Sequence, residues 1–124
     1  MHRRYFLIVT ALGEGGIGLL LLVSPSIPQL LLLGVETISP ETSIVARITG
    51  AALLAIGVIC WQAISNTEGV ALQGLLWGIL IYDLAAALIL AYSGLFVGLA
   101  GIALWPAAGL HVVLAVWCIM CLGN

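Results

Sequence analysis

The sequence predicts an all-α integral membrane protein, a bundle of four transmembrane helices. Hydrophobic residues make up 64% of the 124 residues and charged residues 6%, whereas an ordinary soluble domain is about half apolar and a quarter charged. Four apolar runs each reach the length of about 20 residues that a spanning helix needs. They use nearly the whole chain, so we expect one transmembrane domain over residues 1–124.

The four predicted spans follow one another with short breaks. They cover residues 5–23, 43–64, 70–92 and about 95–122. The breaks contain the Ser, Pro, Asn and Gly residues that are typical of turns. Arg3 and Arg4 precede the first run, as in a signal peptide, but Glu14 interrupts its apolar core and no small-x-small cleavage site follows. We therefore expect the first run to remain as a helix.

Residues 24–42 form the only sizeable break. Within it, residues 28–34 predict a short apolar helix, because proline is tolerated in a first turn and glycine is favoured just past a helix end. This segment is too short to span the membrane. We expect it to lie against the outer surface of the bundle or to form the last turns of a kinked first helix. Ser39 should cap the second span, with Pro40 in its first turn.

The orientation depends on two basic residues. Arg3 and Arg4 are the only ones outside a predicted span, and basic residues favour the cytoplasmic side of a membrane. Four crossings return the C-terminus to the same side. We therefore expect both termini in the cytoplasm.

Each predicted span contains an ionisable side chain: Glu14, Arg47, Asp83 or His111. Because such a group costs at least about 2.5 kcal/mol at the bilayer centre, it should face protein or water. We therefore predict an intramembrane polar cluster of these four residues. A rise of about 1.5 Å per residue puts Arg47 and Asp83 both towards the outer side, which predicts an ion pair between them. The alternative is that Arg47 extends to the outer headgroups.

Glu14 and His111 also allow chemistry of their own. Four glycines within residues 13–18 would let other backbones approach the Glu14 carboxyl group, which could then exchange a proton or simply hydrogen-bond to a neighbouring helix. His111 could be a structural hydrogen-bonding group, a proton partner, a quinone contact or an axial ligand of haem or chlorophyll. A single histidine within the spans excludes bis-histidine haem in one chain.

The third span carries small residues on one side. Gly74 and Gly78 form a Gly-x-x-x-Gly pattern that Ala71 and Ala85 continue, and such patterns allow close packing of helices in lipid. Asp83 projects from roughly the opposite side. One face could serve this bundle and the other a second copy or another subunit. Alternatively, a central helix simply contacts neighbours on both sides.

Other chemistry is not indicated. Cys118 and Cys121 form a C-x-x-C pair without the strand and helix N-terminus of a redox motif, so we interpret them, with Cys60, as small apolar packing residues. No catalytic triad, phosphate loop, metal-ligand cluster or nucleic-acid surface is evident. The expectation is a non-enzyme without a metal and without a nucleic-acid partner, and the sequence identifies no cofactor.

Three stretches carry a resemblance to a known group of proteins: GLLLLVSP at residues 18–25, ARITGAALLAIG at residues 46–57, and Leu110-His111. With them the chain resembles small bacterial four-span membrane proteins of the DoxX-like kind. The resemblance implies a similar architecture over most of the chain and hardly a function. Glu14 within the first of four spans is also similar to the small multidrug resistance transporters, in which such a glutamate exchanges protons for cationic drugs. The chain departs from that pattern by its further charges and its long apolar loop.

These observations favour a non-enzymatic accessory or structural subunit of a membrane assembly. We expect it to contact the lipid bilayer and either further copies of itself or other membrane subunits. Two alternatives come from other classes of protein. One is a proton-coupled small-molecule transporter that uses Glu14, and the other is a quinone- or pigment-binding module that uses His111. Both would contact a lipophilic small molecule.

Overall fold

A computed structural model describes residues 2–123, and it contains helices and no strand over that range. The α-helices are α1 His2–Val23, α2 Ser26–Leu33, α3 Pro40–Ala63, α4 Val70–Tyr92 and α5 Leu104–Gly123, and a π-helical turn at Ser93–Val97 continues α4. Four of these helices, α1, α3, extended α4 and α5, are long and apolar enough to cross a membrane. The all-α four-helix membrane bundle is therefore confirmed.

The first three predicted spans agree with α1, α3 and α4 to about one helical turn at their ends. The fourth does not: α5 begins at Leu104, and the predicted start at Leu95 is wrong. The reason is that Ser93 and Gly94 do not break the third span. The chain stays helical to Val97, and Gly98, with φ of +78°, ends it.

The predicted short helix is present as α2, and it is a separate helix rather than the end of α1. It stops at Gly34, whose φ is +70° and whose N–H donates to the Leu30 carbonyl over 2.9 Å. The connection between α4 and α5 packs on it, because the Ala103 N–H donates to the Leu31 carbonyl over 2.8 Å. The predicted cap of α3 is also confirmed, since Ser39 Oγ accepts from the Thr42 N–H over 3.2 Å.

The spanning helices form two close pairs, α1 with α3 and α4 with α5. Glycines allow the first pair to approach closely. A Cβ added at Gly18 would lie 2.7 Å from the Gly50 carbonyl oxygen, and one added at Gly57 would lie 2.8 Å from Gly15 Cα. This is the small-residue contact that helices in lipid favour.

One apolar core joins the two pairs near the chain termini. It contains buried side chains of α1, α3, α4 and α5, among them Phe6, Leu7, Cys60, Leu76, Cys118 and Cys121. All three cysteines are free and buried, which agrees with a packing role. Arg3 connects three segments at this end, because its Nε donates to the Cys121 carbonyl over 2.9 Å and its Nη1 to the Thr67 carbonyl over 3.3 Å. The two ends of the described chain therefore lie on the same side of the bundle.

The two faces of α4 differ in their surroundings. Leu76, Ile79 and Asp83 are buried in the bundle, whereas Gly74 and Gly78 are exposed. A Cβ added at either glycine would meet no atom within 4 Å among the neighbouring elements that the structure describes. Gly74 and Gly78 therefore do not pack helices within this chain, contrary to the interpretation that α4 contacts neighbours on both sides.

Candidate functional site: a buried carboxylate and imidazole centre

Three of the four ionisable residues predicted to cluster come together in the interior. Glu14 of α1, Asp83 of α4 and His111 of α5 each place a carboxylate oxygen or ring nitrogen within 4.8 Å of the others. Glu14 is 6% exposed and Asp83 1%, while the His111 side chain is 14% exposed. We call these three residues the buried centre. It lies between the two helix pairs, because Glu14 belongs to one pair and Asp83 and His111 to the other.

Asp83 and His111 contact each other directly. The Asp83 Oδ1 and His111 Nδ1 atoms are 2.8 Å apart. Ala108 and Ala115 are buried on the same helix as His111, and such small side chains allow a neighbouring helix to approach closely. The second oxygen of Asp83, Oδ2, is buried and has no hydrogen-bond partner among residues 2–123. The centre thus contains a carboxylate with one oxygen still available to a ligand.

Tyr82 completes the surroundings of the centre, and the sequence analysis did not identify it. Its hydroxyl donates to Glu14 Oε2 over 3.1 Å, and its ring meets His111 edge to face at 5.5 Å between centroids. An uncharged tyrosine within a transmembrane span does not stand out in the sequence as an ionisable residue does. The sequence does contain one indication of its role. Tyr82 directly precedes Asp83, so it lies about 100° around the helix, at the edge of the same face.

Arg47 is not part of the centre, and the predicted pair with Asp83 is wrong. Arg47 is exposed, and its Nη1 donates to the Leu22 carbonyl at the end of α1. Leu22 lies eight residues beyond Glu14, or about 12 Å along the helix axis. The physical reason is the order of the helices: α3 packs on α1 through their glycines, so Arg47 meets α1 while Asp83 faces α5.

The charge of the centre is not balanced by protein groups. Two carboxylates and a neutral imidazole carry −2, and protonation of His111 leaves −1. The chain has three arginines and no lysine. Arg3 and Arg4 lie near the N-terminus, and Arg47, on α3, contacts the other end of α1. Burying an unpaired ion costs several kcal/mol even after the protein relaxes. The centre therefore requires positive charge from a bound proton or another cation.

The absence of a metal-ligand cluster stays a prediction. The sequence pattern did not indicate these three donors as a group, because they lie on three separate helices and only the fold brings them together. The chain matches no protein-family model, no curated protein and no solved structure. The resemblances to DoxX-like proteins and to small multidrug resistance transporters stay predictions.

Proposed function

We propose that this protein is a small membrane carrier whose coupling cation binds at the buried centre. The observation that supports the proposal is the convergence of Glu14, Asp83 and His111 within 4.8 Å in the interior of the bundle. No arginine or lysine reaches them, so a proton or another cation from outside the chain has to balance their charge. A proton-coupled transporter needs such a site, whereas an accessory subunit or a pigment-binding module does not.

The position of the centre between the helix pairs suits a carrier. The Tyr82–Glu14 hydrogen bond crosses from the α4–α5 pair to the α1–α3 pair. A cation held by Glu14 together with Asp83 would join the same two pairs. Its binding and release would then favour different relative positions of the pairs, which is the way a ligand shifts a conformational equilibrium.

Transport in proteoliposomes tests the proposal, with ethidium as a lipophilic cationic probe. We expect ethidium to move when a gradient of protons or of divalent cations is imposed, and Glu14→Gln to abolish this movement. Glu36→Gln is the matched control, because Glu36 is an exposed carboxylate outside the helices, and it should transport like the wild type. A wild-type protein that moves no ethidium under either gradient, or a Glu14→Gln variant with full activity, would contradict the carrier.

The orientation remains a proposal in which both termini face the cytoplasm. Arg3 and Arg4 at the N-terminal end of α1 support it through the positive-inside tendency. Cysteine labelling with a membrane-impermeant reagent provides the test. An added C-terminal cysteine should react only in inverted vesicles, and reaction in right-side-out vesicles would reverse the orientation.

An accessory or structural subunit is the second candidate, and the exposed small-residue face of α4 supports it. Ala71, Gly74, Gly78 and Ala85 are exposed along one side of this helix. Such a face allows a second copy or another membrane subunit to approach closely.

Association in lipid nanodiscs tests this second function. We expect Gly78→Ile to abolish association and to leave the thermal stability of the separate chain unchanged, because a Cβ at Gly78 meets nothing within 4 Å. Gly16→Ile is the control, since Gly16 is equally open but lies on α1. A wild-type chain that is strictly monomeric and recovers no partner in mild detergent would contradict the subunit function.

A further inference from the structure

We propose that the coupling cation is a divalent transition-metal ion of the Mn²⁺, Fe²⁺ or Zn²⁺ class. Its ligands are one carboxylate oxygen each from Glu14 and Asp83 and one ring nitrogen of His111. The inference builds on the carrier proposed above, because it identifies the class of cation that the buried centre binds.

The spacing of the donor atoms fits a single ion. Zinc lies about 2.0–2.2 Å from its nitrogen and oxygen ligands, so two ligand atoms of one ion are at most about 4.4 Å apart. The three donors of the centre lie within 4.8 Å of one another. The donors therefore lie close to the spacing that a single ion requires.

The donor types select the class of metal. Mg²⁺ and Ca²⁺ prefer sites made of oxygen alone, and Cu⁺ prefers thiolates, whereas imidazole with carboxylates suits the middle of the first transition row. No cysteine belongs to the donor group among the described residues. Cys118 instead donates its thiol hydrogen to the Leu76 carbonyl, with 3.2 Å between sulfur and oxygen.

Charge and hydrogen bonding support the same assignment. Two carboxylates and one divalent ion sum to zero, which removes the cost of buried charge without altering His111. Asp83 is 1% exposed, and its Oδ2 has no hydrogen-bond partner among residues 2–123. A metal ion would be coordinated by this free carboxylate oxygen. Tyr82 is then a positioning residue, because its hydroxyl orients the Glu14 carboxylate over 3.1 Å.

Binding of Mn²⁺ to the purified full-length chain, stripped with EDTA and followed by electron paramagnetic resonance, tests the inference. We expect one Mn²⁺ per chain. Glu14→Gln, Asp83→Asn and His111→Gln should each weaken binding more than tenfold, and Tyr82→Phe about tenfold, as is typical for a group that orients a ligand. Glu36→Gln, an exposed carboxylate outside the helices, should bind like the wild type.

A measurement on the wild type keeps the test valid if a variant does not fold. Bound Mn²⁺ should show the nitrogen coupling of one coordinated imidazole in pulsed spectra. A wild-type chain that binds no Mn²⁺, that binds it without a nitrogen ligand, or whose folded variants bind it unchanged would overturn the metal site. Ethidium transport under a proton gradient alone, with no Mn²⁺ bound, would overturn the metal and leave the carrier. Mn²⁺ bound at the centre without any transport would support the metal and contradict the carrier.

Discussion

At the scale of single residues, Arg47 supplies positive charge to a helix end that has none of its own. The last turn of α1 contains no basic residue, and the final carbonyl groups of a helix lack partners within it. Arg47 extends from α3 and donates to the Leu22 carbonyl in that turn. The contact connects two helices and also compensates the negative end of the α1 dipole.

We expect Arg47→Gln to lower stability modestly, by about 1 kcal/mol, the net contribution of a typical hydrogen bond, because Arg47 is exposed to solvent. Arg47→Lys keeps a cationic donor and should retain most of the wild-type stability. The measurement is the free energy of unfolding from titration with sodium dodecyl sulfate in mixed micelles. A loss from Arg47→Gln as large as that from Asp83→Asn would contradict the assignment of Arg47 outside the centre.

The members of the centre could be found from the sequence, but their pairing could not. Glu14, Asp83 and His111 stand out because charged groups are rare in membrane spans. The depth of a residue in the membrane follows from its position along its helix, and by depth alone Arg47 is the expected partner of Asp83. Depth does not indicate which helices are neighbours. The glycine contact of α1 with α3 decides that, and it leaves His111 as the partner of Asp83.

At the scale of elements, close contact between α1 and α3 depends on the absence of side chains at a few positions. Gly18 and Gly57 have another backbone where a Cβ would be, at 2.5 Å from Leu54 N and 2.8 Å from Gly15 Cα respectively. Backbone atoms cannot turn aside as a flexible side chain does. The two helices must therefore separate if either position gains a methyl group.

We expect Gly18→Ala and Gly57→Ala each to destabilise the protein by about 1–3 kcal/mol, the usual cost of an overpacked interior. Gly16→Ala is the matched control on α1, because a Cβ there meets nothing within 4 Å. It should be neutral or stabilising by up to about 1 kcal/mol, since alanine favours a helix over glycine. Unfolding in sodium dodecyl sulfate measures all three. Equal effects at Gly16 and Gly18 would contradict the packing of α1 on α3.

The boundary between α4 and α5 shows where sequence reasoning about elements failed. Ser93 and Gly94 predict a turn by residue type, yet both lie in helical backbone. A Cβ at Gly94 would approach Leu104 Cδ2 to 2.7 Å and Trp105 Cζ2 to 2.8 Å. Gly94 therefore serves the packing of the α5 start against the end of α4. A single sequence does not distinguish a glycine that is needed for a tertiary contact from one that is needed for a turn.

At the scale of the whole molecule, Arg3 holds one end of the bundle together. It donates to the Cys121 carbonyl in the last turn of α5 and to the Thr67 carbonyl in the connection between α3 and α4. Both bonds are partly buried, and their partners are more than sixty residues away in the chain. One side chain thus links the start of α1 to α5 and to the connection between α3 and α4.

We expect Arg3→Gln to destabilise the protein by about 1–3 kcal/mol, because partly buried carbonyl groups lose a charged donor. Arg4→Gln provides the control. Arg4 is exposed, and this variant removes the same charge one residue away from Arg3. It should change stability little. Comparable losses from the two variants would indicate that charge near the membrane surface, rather than the specific contacts of Arg3, stabilises this end.

Within the buried centre, the Asp83–His111 contact joins α4 to α5, and Arg47 lies outside it. A double-mutant cycle of Asp83→Asn with His111→Gln, read as free energy of unfolding in sodium dodecyl sulfate, tests this most directly. Each single variant replaces one partner of the buried hydrogen bond, and we expect it to cost about 1–3 kcal/mol. We predict that the double variant is more stable than the sum of the singles implies by at least about 1 kcal/mol, whereas Asp83→Asn with Arg47→Gln is additive within about 0.5 kcal/mol. Additivity in the first cycle, or strong coupling in the second, would contradict the account.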